Sequence, residues 1–332
     1  MSTGSQTSPP TFAICMPVHN EAEVLDYAVD AVKTILNSFI DRKLVSQNSY
    51  CCLIDDGSSD QSWRIIETLH ELDPQKVHAL KFSRNFGHQS ALFAAYRELD
   101  VDALVTLDAD LQDDPSVIEA MVTCYVDKGF DVVYGIRNLR KSDGIFKRAS
   151  AEAYYKIVRL FDPDIRFNHA DYRLLSRRAY KALAEMNERD LFLRGMVPKI
   201  GFPSTEVFYA RNERKAGETK YPLRKMLSFA WSGITASSVK PLRAVALVGV
   251  SVFLFSLLLI GWVVYTKFFT RNVISGWASL TTVVAFFSGL NILCVAIVAE
   301  YLAKIFTEIK ARPRYILESR LGPGTNRDKR RS

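Results

Sequence analysis

Ala103-Leu104-Val105-Thr106-Leu107-Asp108-Ala109-Asp110 is the stretch whose reading decides the fold: an apolar run passes directly into two carboxylates separated by one small residue. Such a run, ended by a polar turn, reads as a short strand buried on both faces. Two carboxylates at its carboxyl end suit a hard divalent cation, which takes one or two carboxylates and completes its shell with phosphate and water. Alone the triplet is weak, because Asp-x-Asp recurs by chance and acidic pairs also cap loops. Its surroundings have to carry the reading.

Outward from this stretch, short apolar runs alternate with amphipathic segments. Strands are expected at Phe12–Val18, Tyr50–Asp55, Val77–Phe82, Ala103–Leu107 and Asp131–Tyr134, with helices at Glu21–Phe39, Gln61–Leu72, His88–Leu99 and Pro115–Lys128. Apolar strands separated by helices predict an α/β fold, a mostly parallel sheet covered on both faces. Ligands then bind at the carboxyl ends of strands, near the point where the winding reverses. The sharp polar clusters fall at those ends: His19-Asn20-Glu21, Asp55-Asp56-Gly57-Ser58, Asp108-Ala109-Asp110 and Gly135–Arg137. That coincidence is the strongest internal argument for a site.

Each cluster has a bland reading beside the sharp one. Asp55 and Asp56 suit the imide N–H of uracil or ribose hydroxyls, while Ser58 or Asp60 can simply cap the next helix. Pro17 fixes a turn, and Glu21 faces a nucleotide or favours a helix start. His19 stays outside the catalytic set. Arg84, in Ser83-Arg84-Asn85-Phe86-Gly87-His88, contacts phosphate or base, or serves the turn. Arg137, Arg140, Lys141, Lys147 and Arg148 form a cationic run suited to phosphate, although most such runs are solvated loops. Asp171, in Asp171-Tyr172-Arg173, is a base or orienter, or an ordinary ion pair with Arg173. No His/Cys/Asp cluster has zinc spacing.

The C-terminal half changes character. Ala244–Tyr265 and Ala278–Ala299 are each 22 residues long and contain no Asp, Glu, Lys or Arg. At 1.5 Å per residue each spans roughly 33 Å, enough for a hydrocarbon layer of about 30 Å. They read as a two-helix transmembrane hairpin, with Leu223–Val239 lying in the interface as a collar. Basic residues before the pair and in the tail outnumber Lys267 and Arg271 of the connection. The positive-inside rule then puts the soluble domain and both termini in the cytoplasm of a multi-pass membrane protein. The organisation expected is a disordered leader over 1–11, a catalytic domain over 12–221, an interfacial segment over 222–241, two spans within 242–303 and a basic tail over 304–332.

Net charge is +7, but residues 301–332 hold nine Lys/Arg against three Asp/Glu. The excess therefore fits a lipid-facing tail better than nucleic acid, and no aromatic-interleaved basic platform is present. Five cysteines without metal spacing read as buried free thiols, which fits a reducing compartment.

The ordered set Pro17-Val18-His19-Asn20-Glu21, Asp55-Asp56-Gly57-Ser58, Arg84-Asn85-Phe86-Gly87, Asp108-Ala109-Asp110-Leu111-Gln112, Asp171-Tyr172-Arg173-Leu174 and Arg214 through Lys220 resembles glycosyltransferase family 2. It is most similar to the polyprenyl-phosphate glycosyltransferases, which include dolichyl-phosphate mannose synthases and the bactoprenol glucosyltransferases of O-antigen modification. The likeness runs over about residues 12–317 and implies a GT-A-type, Rossmann-like catalytic domain.

It further implies that Asp55 and Asp56 hold the nucleotide and that Asp110 and Gln112 coordinate Mg²⁺ or Mn²⁺, with Asp108 beside sugar or metal. Arg137 and Arg148 would meet phosphate, and Arg214 and Lys220 the acceptor or diphosphate. Asp171 falls at the catalytic acid/base position, and Pro17, Glu21, Arg84 and Arg173 complete the substrate-binding set. Ala170 stands before Asp171 where relatives often have Gly. The partners implied are a nucleotide sugar, undecaprenyl or another polyprenyl phosphate, and the lipid bilayer, with a homo-oligomer open.

Other classes fit less well. Gln61-Ser62-Trp63-Arg64 does not match the Gln-x-x-Arg-Trp order of processive synthases, and no Gly-x-Gly-x-x-Gly follows the first strand as in dinucleotide oxidoreductases. A non-enzymatic membrane scaffold with a nucleotide-sensing domain would show no turnover.

Overall fold

The structure is a computed structural model that describes residues 8–137, 169–186, 188–189, 191–209, separate positions within 242–265, and 276–322. Arg148, Arg214, Lys220, the collar and the hairpin connection lie outside the described residues.

Strands β1 (Phe12–Val18), β2 (Tyr50–Asp55), β3 (Val77–Phe82) and β4 (Ala103–Thr106) alternate with helices α1 (Leu25–Asp41), α2 (Ser62–Leu72) and α3 (His88–Glu98), and α4 (Val117–Val126) leads to β5 (Val132–Arg137). Then come β6 (His169–Ser176), α5 (Arg177–Glu185), α6 (Leu193–Lys199), β7 (Ser204–Tyr209), α7 (Trp277–Ile309) and β8 (Leu317–Leu321). All five expected strands and four expected helices are present, their ends shifted by a few residues.

One eight-stranded sheet has the order β7-β5-β6-β4-β1-β2-β3-β8. β1 pairs in parallel with both β2 and β4, and β2 with β3, whereas β6 runs antiparallel to β4 and β5. The expected mostly parallel, doubly wound sheet is therefore observed. Every residue of β1 is buried, which is why its sequence shows no polar alternation. Phe12, Ile14, Met16 and Val18 pack on one face with α1, α2 and α4, while Ala13 and Cys15 pack on the other with α3, α5 and α6. The chain winds from β1 out to β3, then crosses back to β4 on the other side. The crevice at the carboxyl ends of β1 and β4 is thus the reversal point.

Two compact units are resolved, one containing the sheet and the other α7. Among the described residues of the second, one helix is long and apolar enough to cross a membrane, over Phe286–Ile309 with mean hydropathy 1.8. Its Phe286, Ile292, Leu293 and Leu302 are each more than half exposed, an apolar surface that water does not favour. The expected span Ala278–Ala299 lies inside this helix, which continues ten residues beyond it to Ile309. Within Ala244–Tyr265, the described positions are helical.

The stretch 304–332, expected as a basic tail, contains β8. It belongs to the sheet's unit and pairs antiparallel with β3, register Ala79 with Leu321 and Leu80 with Arg320. Arg320 donates to Glu98 O at 2.7 Å, tying this strand to the end of α3.

Candidate active site

A cleft of about 310 Å³ opens at the reversal point, between Pro17–Glu21 at the end of β1, Asp56 after β2, Asn85–His88 at the start of α3 and Asp108–Asp110 after β4. Its two sides are built differently.

On the β1–β2–β3 side, three loops are latched to one another. Asn20, in the left-handed region at φ 56°, accepts at Oδ1 from Ser59 N (2.8 Å) and Asp60 N (3.3 Å). In return, Asn20 N donates to Ser58 Oγ and Glu21 N to Ser62 Oγ, each at 3.0 Å. Asp56 accepts from Phe86 N (2.6 Å) and Gly87 N (2.8 Å), so both its oxygens brace the β3–α3 loop. His19 Nδ1 lies 3.1 Å from Asp56 O and Nε2 lies 3.0 Å from Asn85 Nδ2. A carbonyl can only accept, which puts the ring proton on Nδ1 and leaves Nε2 to accept from the amide. His19 therefore bridges all three loops.

Gly57 makes this closeness possible. Its φ is +64°, and a Cβ there would stand 2.2 Å from the Arg84 carbonyl carbon. Asp55 is fully buried and accepts from Ser58 N and Oγ at Oδ1, while Oδ2 has no partner among the described residues. Burial pushes Asp55 and Asp56 above the usual carboxylate range, against hydrogen bonds from Ser58 and from Phe86 and Gly87 that pull them down. Arg84 is exposed, its guanidinium 4.0 Å from the Phe86 ring centre.

On the β4–β6 side, charges face one another. Asp171, on β6, accepts at Oδ1 from Arg173 and at Oδ2 from Arg194 (3.1 Å) and Gln89 (3.2 Å). Burial would raise this carboxyl, but Arg194 and Arg173 outweigh it and hold Asp171 well below the usual carboxylate range. Asp171 is consequently a poor proton acceptor. Arg173, expected among the substrate-binding residues, is 0% exposed and donates to the Asp171 carboxylate.

Asp108 is shifted the other way. Its recessed position raises it, and the Asp171, Asp113 and Asp110 carboxylates raise it further, with His88 opposing. His88 Nε2 stands 3.7 Å from Asp108 Oδ1 and 3.8 Å from Asp171 Oδ2, beyond hydrogen-bond reach of either. Asp110 accepts from Gln112 N (3.1 Å) and Gln112 Nε2 (2.7 Å), so Gln112, expected as a metal ligand, braces Asp110 here. Arg137 ends β5 in a two-bond pair with Asp113, at 2.9 and 2.8 Å.

Among the described residues, no three His, Cys, Asp or Glu side chains converge as a closed metal cage would need. An open Mg²⁺ or Mn²⁺ site needs only one or two carboxylates besides phosphate and water. Asp108 and Asp110 fit that donor set, and the surplus negative charge around Asp108 is what a divalent cation would relieve.

The cleft thus gathers Pro17, Glu21, Asp56, Asp108 and Asp110, with Asp171 behind His88. The sequence reading did not single out His88, Gln89, Asp113 or Arg194 as functional. His88 and Gln89 directly follow the Arg84–Gly87 stretch, a signal that was available; Arg194 lies 23 residues beyond Asp171 on another element, and no spacing announces it.

Residues 13–184 match the family model Glycosyl transferase family 2. The chain is 40% identical over 313 residues to the uncharacterized glycosyltransferase YkoT of Bacillus subtilis (strain 168), covering 94% of this chain and 92% of that one. It is 33% identical over 309 residues to the bactoprenol glucosyl transferase of Shigella phage SfX, covering 93% and 99%. Among solved structures it is similar to the glucosyl-3-phosphoglycerate synthase of Mycobacterium tuberculosis, with TM-score 0.45, 15% identity and coverage of 68% and 78%.

Proposed function

The chain belongs to glycosyltransferase family 2, and from that premise we propose that it transfers glucose from UDP-glucose to a polyprenyl phosphate, undecaprenyl phosphate in a bacterium, at the cytoplasmic face of a membrane. The observation that carries this reading is one chain holding both an acidic cleft at the sheet's reversal point and an exposed apolar helix of membrane-spanning length. The full-length likeness to a protein named bactoprenol glucosyl transferase supports the acceptor and the sugar. The apolar run Ala244–Tyr265 would complete a hairpin that leaves both termini in the cytoplasm.

On the donor side, the unpartnered Asp55 Oδ2 is an acceptor lacking a donor, which an imide N–H or ribose hydroxyl would supply. Asp108 and Asp110 would hold Mg²⁺ or Mn²⁺, which neutralises charge developing on a departing nucleoside diphosphate. Arg137 and Arg148, with Arg214 and Lys220, would meet the phosphates of donor and acceptor.

An acceptor phosphate oxygen is already anionic near pH 7 and needs no strong base. Asp171, held low by two guanidiniums, suits orientation better than deprotonation. Direct displacement by that oxygen would invert the anomeric carbon, giving a β-linked lipid sugar from an α-linked donor. GDP-mannose or another UDP-sugar is the alternative donor for the same reaction.

The test is transfer of radiolabelled sugar from a panel of nucleotide sugars to undecaprenyl phosphate, with Mg²⁺, Mn²⁺ or EDTA. The expected result is metal-dependent label in the lipid phase from UDP-glucose, reduced at least ~100-fold in Asp110→Ala, the scale of losing one preorganised electrostatic contact. An α-linked product would refute single displacement, and donor binding without any transfer would favour the scaffold.

A further inference from the structure

His88 is the first residue of α3 and lines the cleft, its side chain 42% exposed. The preceding Gly87 donates its amide to Asp56 at 2.8 Å, and its carbonyl accepts from Ser90 N and Ala91 N, so the imidazole leaves a fixed turn. The next side chain, Gln89, donates to Asp171 Oδ2 at 3.2 Å and accepts from Leu193 N at 3.2 Å. One turn of helix thus clamps Asp171 with one residue and faces it with the neighbouring one.

His88 Nε2 stands 3.7 Å from Asp108 Oδ1 and 3.8 Å from Asp171 Oδ2, and it makes no hydrogen bond among the described residues. An ionised carboxylate can only accept, so the nitrogen turned toward two of them carries the ring proton, in the neutral tautomer and in the cation alike. One donor and two acceptors thus face each other across a gap too wide for them to bond directly. An oxygen about 2.8 Å from Nε2 and about 2.8 Å from either carboxylate closes a triangle whose third side is the observed 3.7 or 3.8 Å. One atom therefore fits between them.

That atom has to accept from the nitrogen and donate to a carboxylate. An ionised phosphate oxygen cannot donate and is repelled by both aspartates, whereas a hydroxyl does both. On the function proposed above, the nucleoside lies on the β1–β2–β3 side and the ion on Asp108 and Asp110, so the sugar beyond the diphosphate comes to this corner of the cleft. We infer that His88, with the Asp108 and Asp171 carboxylates, binds one hydroxyl of the transferred sugar and is thereby a specificity-determining residue for the donor. The inference rests on the nucleotide-sugar reading, but not on which sugar is carried or which acceptor receives it.

The experiment is calorimetric binding to the full chain in detergent with Mn²⁺, using UDP, UDP-glucose and the series of UDP-monodeoxyglucoses. Loss of one neutral hydrogen bond should weaken binding about three- to ten-fold. One deoxy analogue should bind the native protein that much more weakly than UDP-glucose does. In His88→Phe, UDP-glucose should fall by the same factor while UDP holds its affinity, and that analogue should no longer differ from UDP-glucose. His88→Gln, which keeps an N–H donor, should retain the discrimination, and thermal melting should show both variants folded. If GDP-mannose is the donor that binds, the same series is run in mannose. An equal fall for the sugar-free and sugar-bearing nucleotides in His88→Phe, no fall in either, or discrimination that survives in that variant would each overturn the assignment and leave the nucleotide-sugar reading standing. A native protein that binds no nucleotide sugar would overturn that reading and the inference with it.

Discussion

The two walls of the cleft are held by opposite kinds of force. The β1–β2–β3 wall is fastened mainly by backbone amides and side-chain oxygens: Asn20 to the β2–α2 loop, Ser58 and Ser62 back to the β1–α1 loop, Asp56 to two amides of the β3–α3 loop. The β4–β6 wall carries Asp108, Asp110, Asp113 and Asp171 against Arg137, Arg173 and Arg194, with His88 between two carboxylates and bonded to neither. A wall braced by hydrogen bonds between its loops keeps its shape without a ligand, with Asp55 Oδ2 the acceptor left over among the described residues, whereas a wall of crowded charge is relaxed when a counter-ion arrives. On the proposed reading, the nucleoside would be recognised on the hydrogen-bonded wall, and the charge of the departing diphosphate would be met on the electrostatically loaded one.

The largest effect that would break this contrast concerns two aspartates of the charged wall. Asp171→Asn strips the partner from Arg173, which is 0% exposed. Leaving a buried charge unpaired costs about 3–5 kcal/mol. Asp108→Asn instead removes one carboxylate from a crowded set, so stability should stay level or rise slightly while sugar transfer is lost. Thermal unfolding of both variants in detergent decides it, and an equal fall in the two would remove the basis for calling Asp108 destabilised. The pH signature follows from the sign of each shift. Asp171, held low, contributes stability above the ordinary carboxylate range of about 4 and loses it as pH falls through its depressed value. Asp108, held high, favours the protonated form, so its ionisation weighs against the fold as pH rises through its raised value.

Next in size is Gly57→Ala on the stiff wall. A Cβ would stand 2.2 Å from the Arg84 carbonyl carbon, and φ +64° is left-handed besides. Overpacking of about 1–3 kcal/mol and backbone strain of about 1 kcal/mol or more add to a loss of roughly 2–4 kcal/mol. UDP binding by calorimetry should weaken along with stability. A variant that kept its UDP affinity would mean that the latching of the β2–α2 and β3–α3 loops is not what shapes the donor site.

What could be read from residues alone stops at the strand ends on both walls. β1 to β4 were visible because strands buried on both faces are unbroken apolar runs, and their ends flagged Asp55, Asp56, Asp108 and Asp110. β6, His-Ala-Asp-Tyr-Arg-Leu-Leu-Ser, is not among the expected strands, because its Asp171, Arg173 and Ser176 are polar yet buried through pairing that only the fold supplies. β8, Leu-Glu-Ser-Arg-Leu, was hidden among tail charges; its partner β3 is over 230 residues earlier. Arg194 and Asp113 were missed for the same reason: each acts through a partner on another element. The apolar runs show where strands end; which ends the fold then brings together, whether by the Asn20 and Asp56 bonds or by the Asp171 and Asp113 pairs, they do not show.

The smallest effect tests whether the stiff wall has a weak point at its outer edge. His78, on β3, is 7% exposed; its ring meets Tyr50 at 4.0 Å and lies where a Cβ on Gly322 would stand 2.7 Å away. Burial, with His70 nearby, lowers it from 6.5 to about 4. The neutral ring is therefore the folded form. Its contribution is complete above pH 6.5 and is lost as pH falls toward 4, a span worth about 2–3 kcal/mol. Hydrogen exchange across that interval should show β8 separating from β3 before the β1–β4 pairing loosens, with His78→Phe abolishing the pH dependence. Opening that began at the Asp171 pairs instead would reverse the ranking of the two walls, because charge pairing and not the hydrogen-bonded edge would then be the part most sensitive to acid.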